Sequence, residues 1–212
     1  ENLDRLRSAG FNTVFFHITT QYLASLDNPD LPQADPRASW DCFGELLKAA
    51  RERGIQVHAW FSPWIYKNRY RAPELREHPE WAAVNASGAA SDAGLCLSRP
   101  EVRQYELDAV AQIIRRYPDI AGIHIEEPGY PWGDYCYCDY CQALCQQWCG
   151  VDIRADHRAA QPIVRNLAAF MCTDFFARLR QMMLDLRPEL WLSANGSGGA
   201  NPDWYIGRDW AT

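Results

Sequence analysis

Ile55-Gln56-Val57-His58-Ala59-Trp60-Phe61 alternates aliphatic, small or aromatic residues with polar or wide ones. Successive side chains of a strand point to opposite faces. Ile55, Val57, Ala59 and Phe61 therefore share one face, and Gln56, His58 and Trp60 share the other. The same division recurs in three further segments. Val14, Phe16 and Ile18 oppose His17 in residues 12–18. Ile123 and Ile125 oppose His124 and Glu126 in residues 120–126. Leu190, Leu192 and Ala194 oppose Trp191, Ser193 and Asn195 in residues 189–195. Between these strands lie helical patterns. A short one ends at Gly10, and residues 42–53 are closed by Gly54. Pro100 suits the first turn of a helix over 100–116. A helix over 164–186 is stopped by Pro188. Residues 27–39 read as a polar, Pro-rich loop, and 62–98 as a long excursion.

Strands alternating with helices predict a parallel α/β architecture. A doubly wound sheet buries both of its faces under helices and cannot tolerate the polar second set. Moreover, no Gly-rich phosphate loop follows any strand. A closed barrel accommodates both sets, with apolar residues outward against helices and polar ones in the lumen and mouth. The expectation is a (β/α)₈ TIM barrel. Such barrels take about 250 residues, so four strands and a fifth opening at Arg208-Asp209-Trp210 are read as about strands 2 to 6. Residues 1–212 are expected to form a single catalytic barrel domain, truncated at both ends.

Composition narrows the partners. A net charge of -6 gives no sign of a nucleic-acid or anionic-membrane partner. No apolar run approaches the roughly 20 residues of a membrane span. No leader is visible, and with the N-terminus expected to be missing, cytoplasmic and exported locations both stay open. A bacterial source is expected, and homo-oligomerisation is compatible with the reading.

Active sites of this fold lie at the C-terminal ends of strands. The strongest position is Glu126-Glu127, before Pro128. Two adjacent carboxylates repel one another, and with loss of water this favours keeping a proton on one, as protonation of a glycosidic oxygen requires. Glu126 and Glu127 are the catalytic candidates. The bland alternative is a solvated acidic turn or a salt bridge to a loop Arg. Glycoside hydrolysis uses two carboxylates, and neighbours on one strand point apart, so the partner is expected on a strand outside this chain. His17, His58, His124 and Asn195 are expected to line a sugar subsite. Trp60, Trp64 and Trp132 are expected to stack on sugar rings, although bracing of loops explains most other aromatic residues there. No cofactor is expected for catalysis. Two rival readings are a metal-dependent hydrolase using the lumen histidines with Glu126 and a non-catalytic carbohydrate-binding barrel.

Cys136, Cys138 and Cys141 supply three thiols within six residues. A fourth ligand is sought among Cys96, Cys145 and Cys149. Crowded cysteines make strained mutual disulfides, whereas four thiolates make a closed structural Zn site. Cys42 and Cys172, each alone in a helix, read as small buried hydrophobes.

Taken together, Gly10-Phe11-Asn12-Thr13-Val14, residues 54–61, His78-Pro79-Glu80-Trp81 and Gly122-Ile123-His124-Ile125-Glu126-Glu127-Pro128 resemble the glycosyl-hydrolase-like family 10 barrels. The resemblance implies a glycosidase acting on a carbohydrate substrate, related to retaining enzymes with a nucleophile on a later strand. In that family the first acidic residue is usually Asp, where Glu126 stands. The cysteine motif is similar to that of family 42 β-galactosidases, in which an earlier Cys completes a zinc site. That likeness implies Cys96 as fourth ligand, in Leu95-Cys96-Leu97-Ser98-Arg99-Pro100. It also implies Glu127 as acid/base, with Glu126 replacing the Asn that usually precedes it.

Overall fold

The computed structural model describes residues 1–27, 35–63, 74–130 and 135–195. The elements run α1 (Asn2–Ser8), β1 (Thr13–Ile18), α2 (Thr20–Asp27), α3 (Cys42–Arg51), β2 (Gln56–Phe61), α4 (Glu74–Glu77), β3 (Ala82–Val84), β4 (Ala90–Leu95), α5 (Pro100–Arg116), β5 (Gly122–Ile125), α6 (Asp139–Cys149), α7 (His157–Leu186) and β6 (Trp191–Ala194). The chain divides into two compact units. One comprises residues 1–62, 108–126 and 180–195; the other comprises 63–107, 127–179 and 196–212.

The first unit holds a four-stranded parallel sheet in the order β1-β2-β5-β6. Its register lines up the two faces. Phe16, Ala59, Ile123 and Leu192 form one row, and Ile18, Phe61, Ile125 and Ala194 the next. Ile18, Val57, Ala59, Phe61, Ile123 and Ile125 are buried. Helical residues cover this face: the Phe43 ring of α3 stacks on Phe16 at 5.1 Å and meets Tyr117, just past α5, edge-on at 4.8 Å. Burying an aromatic side chain as fully as Phe43 contributes roughly 1.5–3 kcal/mol. On the opposite face, Phe15, His58, Gly122 and Trp191 make one row, and His17, Trp60, His124 and Ser193 the next. This is the lumen face expected from the alternation.

Local chemistry explains the helix ends. Asp41 caps α3, its Oδ1 accepting from the Gly44 amide at 2.9 Å. Gly54 adopts φ +62, the left-handed turn that returns the chain into β2.

The second unit carries the antiparallel hairpin β3–β4, with Ala82 opposite Leu95 and Val84 opposite Ala90. Phe175 and Leu179 of α7 are fully buried. The segment read as an excursion thus contains regular structure, because β3 is too short to show a period. Residues 36–39 form a 3₁₀ turn within the stretch read as loop. Helix α7 starts at His157 rather than near residue 164, and so encloses Pro162. Asp156 supplies the cap, its carboxylate accepting from the Ala159 amide at 3.0 Å. The opening of a further strand at 208–210 lies outside the described residues.

Candidate active site and cysteine cluster

His17, Trp60, His124 and Ser193 are register neighbours near the C-terminal ends of β1, β2, β5 and β6. The Trp60 indole stands edge-on to both imidazoles, 5.6 Å from His17 and 5.9 Å from His124. Its Nε1 is buried and has no hydrogen-bond partner among the described residues. His124 Nδ1 lies 2.9 Å from Ser193 Oγ. Burial lowers the pKa of His124, against the opposing pull of the Asn195 side-chain hydrogen bond and the Glu126 charge.

His58 belongs to the row beneath. It is 8% exposed, and the Phe15 ring packs on it at 5.0 Å. Burial, and then the charge of His124, lowers its pKa. Neutral imidazole is the favoured form, and its Nδ1 has no partner among the described residues.

One residue past β2 and β5, the same parity brings Ser62 and Glu126 to the lumen face. The Glu126 amide donates to Phe61 O at 2.8 Å, which fixes the exit from β5. Ser62 Oγ donates to Glu126 Oε2. His17 Nε2 lies 3.0 Å from Ser62 Oγ and 3.6 Å from Glu126 Oε2. The Glu126 side chain is 13% exposed and that of His17 38%. The Arg37 guanidinium donates to His17 O at 2.9 Å and forms a 2.6 Å ion pair with Asp35. Ser62 was absent from the sequence reading. Its one available signal was its position, the first residue past a strand and on the parity of Trp60.

Glu127, which opens the second stretch of chain in the second unit, has φ +36. A non-glycine residue in this region costs of order 1 kcal/mol or more, and such strain concentrates at functional positions. Trp64 and Trp132 lie outside the described residues.

The three lumen histidines turn to different surroundings: His17 to Ser62, His124 to Ser193 and Asn195, and His58 to Phe15 and the backbone at Gly122. Among the described residues, the group whose potential ligand atoms converge is instead Cys96, Cys136, Cys138 and Cys141. Their sulfurs all lie within 4.8 Å of one another, and all four residues are buried. Cys96 Sγ is 3.6 Å from both Cys141 Sγ and Cys138 Sγ. These separations are far beyond a disulfide bond of about 2.05 Å. Cys96 follows β4, its amide donating to Trp81 O at 2.7 Å. The Val84 amide points at Cys136 Sγ at 3.3 Å, and the Tyr137 amide returns to Val84 O at 2.8 Å. Hydrogen bonds from Cys136, Cys141 and Cys96 hold Cys138 well below the usual thiol range, while burial drives Cys136 up. Against the effect of burial, hydrogen bonds with Cys136 and Cys141 lower Cys96 as well, while hydrogen bonds with the other three raise Cys141, so a cation would be needed to keep four thiolates.

Of the other thiols, Cys145 is buried apart from this group, and Cys149 is exposed, with its thiol on Cys145 O at 3.1 Å. Cys172 is buried and Cys42 half-buried, near Tyr22 Oη at 3.6 Å.

The sequence profile of the family described as Glycosyl hydrolase-like 10 matches residues 1–203. The glycosyl hydrolase DigH of Escherichia coli (strain K12) is 26% identical over 152 residues, which cover 61% of this chain and 34% of that protein. The chain therefore spans about a third of the curated relatives it matches. Among solved structures, the α-L-fucosidase isoenzyme 2 of Paenibacillus thiaminolyticus superposes with a TM-score of 0.66 at 20% identity, over 92% of this chain and 28% of that one. The β-galactosidase of Rahnella sp. R3 gives 0.64 at 17% identity, over 92% and 32%. That of Bacillus circulans sp. alkalophilus gives 0.61 at 14%, over 92% and 33%. These likenesses assign the parallel sheet to part of a (β/α)₈ barrel.

Proposed function

The chain belongs to the Glycosyl hydrolase-like 10 family, and from that membership we propose that it carries part of the active site of a glycoside hydrolase. The enzyme cleaves O-glycosidic bonds of an oligo- or polysaccharide by carboxylate acid/base catalysis, within a single barrel domain that includes residues 1–212. One observation carries the reading. Glu126, at the C-terminal end of β5, presents a carboxylate gripped by Ser62 and His17 from the two preceding strand ends. Its chain neighbour Glu127 holds a strained backbone at the same strand end. One of the two serves as general acid/base.

The row of His17, Trp60 and His124, with Asn195, offers polar atoms and an aromatic edge to a sugar, and His58 supports that row from beneath. Trp64 and Trp132 are proposed to stack on sugar rings. Retention of configuration, the outcome suggested by the family likeness, requires a nucleophile about 5–5.5 Å from the acid/base. Consecutive residues of one strand point apart, so this partner is assigned to a later strand. The naming of the Escherichia coli relative as a glycosyl hydrolase supports the same chemistry.

The cysteine cluster is assigned to Zn²⁺. Tetrahedral thiolate ligands at a Zn–S distance of about 2.3 Å stand about 3.8 Å apart, close to the 3.6 Å separations seen. Four sulfur ligands close the coordination sphere and leave no position for water or substrate. The ion's part is structural: it joins the exit of β4 to the start of α6.

The test is Glu126→Gln and Glu127→Gln in the full-length protein, assayed on a panel of aryl glycosides. At least one variant loses turnover by 10²-fold or more. Unchanged rates in both overturn the proposal, and sugar binding without turnover by the wild type would make this a binding barrel.

A further inference from the structure

We propose that Ser62 is a positioning residue, which locks His17 and Glu126 into one directional hydrogen-bonded unit; the inference rests on the glycosidase reading above. The geometry is carried by three strands. Ser62 follows β2 on the lumen parity, so its short side chain has little freedom to point elsewhere. Its neighbour Phe61 is fully buried and accepts the Glu126 amide at 2.8 Å, tying the ends of β2 and β5 together. Arg37 tethers the carbonyl of His17 at the end of β1.

A serine hydroxyl has one proton to give and lone pairs to accept with. The Ser62 hydroxyl spends its one proton on Glu126 Oε2. The contact of 3.0 Å between Ser62 Oγ and His17 Nε2 must then be a donation from the imidazole. The chain of donors runs His17 Nε2–H to Ser62 Oγ, and Ser62 Oγ–H to Glu126 Oε2. This order selects the Nε2–H tautomer of His17 and fixes the plane of the Glu126 carboxylate. A carboxylate so held keeps its orientation before substrate arrives, and sub-ångström placement is worth large factors in rate.

The test pairs two readouts in the full-length protein. The first is ¹⁵N chemical shifts of the His17 imidazole, assigned with His17→Asn and recorded above its titration. The wild type shows Nε2 protonated, and Ser62→Ala shows a mixture of tautomers. The second is hydrolysis of the aryl glycoside that the wild type cleaves. Ser62→Ala lowers kcat roughly 10- to 100-fold with KM within about twofold, as expected for losing a hydrogen bond to a charged group. Ser62→Thr restores most of both signals. An unchanged His17 tautomer in Ser62→Ala overturns the proposal whatever the rates. Unchanged kcat in Ser62→Ala, where Glu126→Gln is dead, overturns the positioning role alone. Full turnover in Glu126→Gln overturns the catalytic assignment of Glu126 and this role with it.

Discussion

Gly122 lies directly under the imidazole of His58. A Cβ built on it would stand 2.7 Å from His58 Nδ1 and 2.5 Å from the carbonyl oxygen of Trp191. The second contact is with backbone of the neighbouring strand, which cannot yield without breaking the β5–β6 register. Gly122→Ala should therefore destabilise the protein by about 1–3 kcal/mol. The midpoint of urea unfolding checks this, and a midpoint equal to the wild type would refute the close approach. His58→Ala should relieve half of the clash, so the double variant should be less destabilised than the sum of the two changes.

His58 and His124 both have folded-state pKa values below the ordinary 6.5, each chiefly through burial. The sign follows directly. Above about 6.5 both folded and unfolded chains hold these histidines neutral, and nothing is lost. Below it the unfolded chain takes protons that the fold resists, so stability falls with pH from about 6.5 downward until the folded values are reached. The acidic groups with depressed values act lower. Asp4, held at about 2 mainly by its hydrogen bond with Arg53, loses its contribution between 3.8 and about 2. Thermal unfolding from pH 8 to pH 5 should show the histidine loss, and His58→Gln should flatten that slope. A flat wild-type profile across this window would count against the burial.

The lumen face was legible because period-2 alternation survives in every strand of the sheet. The register rows confirm the division residue by residue, from His17 to Ser193. The fourth thiol was not legible from spacing, since Cys145 and Cys149 lie nearer in sequence than Cys96 does. A hairpin of sequence-remote residues brings Cys96 in, and only the likeness to family 42 enzymes pointed to it. Ser62 escaped for a different reason. A serine after a strand is commonplace, and what sets it apart is a relation among three strand ends. The start of α7 lies at His157, before the expected residue 164, where the Asp156 carboxylate accepts from the Ala159 amide.

Asp41 does more than start a helix. Its Oδ1 accepts from the Gly44 amide at 2.9 Å, from Tyr22 Oη at 3.1 Å and from Tyr117 Oη at 3.0 Å. Burial pushes both tyrosine hydroxyls up in pKa, so both remain donors at any working pH. Asp41→Ala removes a helix cap worth about 1 kcal/mol and leaves two largely buried hydroxyls short of an acceptor, at about 1–3 kcal/mol more. Asp41→Asn keeps an acceptor oxygen and should cost less. A double-mutant cycle with Tyr117→Phe should give a coupling of about 0.5–1.5 kcal/mol in chemical unfolding. Strict additivity would mean that the hydrogen bond contributes nothing.

The zinc assignment predicts one metal ion per chain in the purified full-length protein, held by Cys96, Cys136, Cys138 and Cys141. Ligands must be deprotonated to bind, so metal uptake releases protons and retention weakens on acidification. Thiol titration of the native protein should leave these four of the eight cysteines unreactive until a chelator is added. Chelation should then lower the unfolding temperature, because an ion held there would join the β3–β4 hairpin to the start of α6 and its binding energy would be part of the folding energy. Cys141→Ser should lose the metal and reproduce the chelated unfolding temperature. Cys145→Ser, altering a thiol outside the cluster, should retain the metal. A protein that contains no metal, and whose clustered thiols titrate as freely as the exposed Cys149, would reject the site.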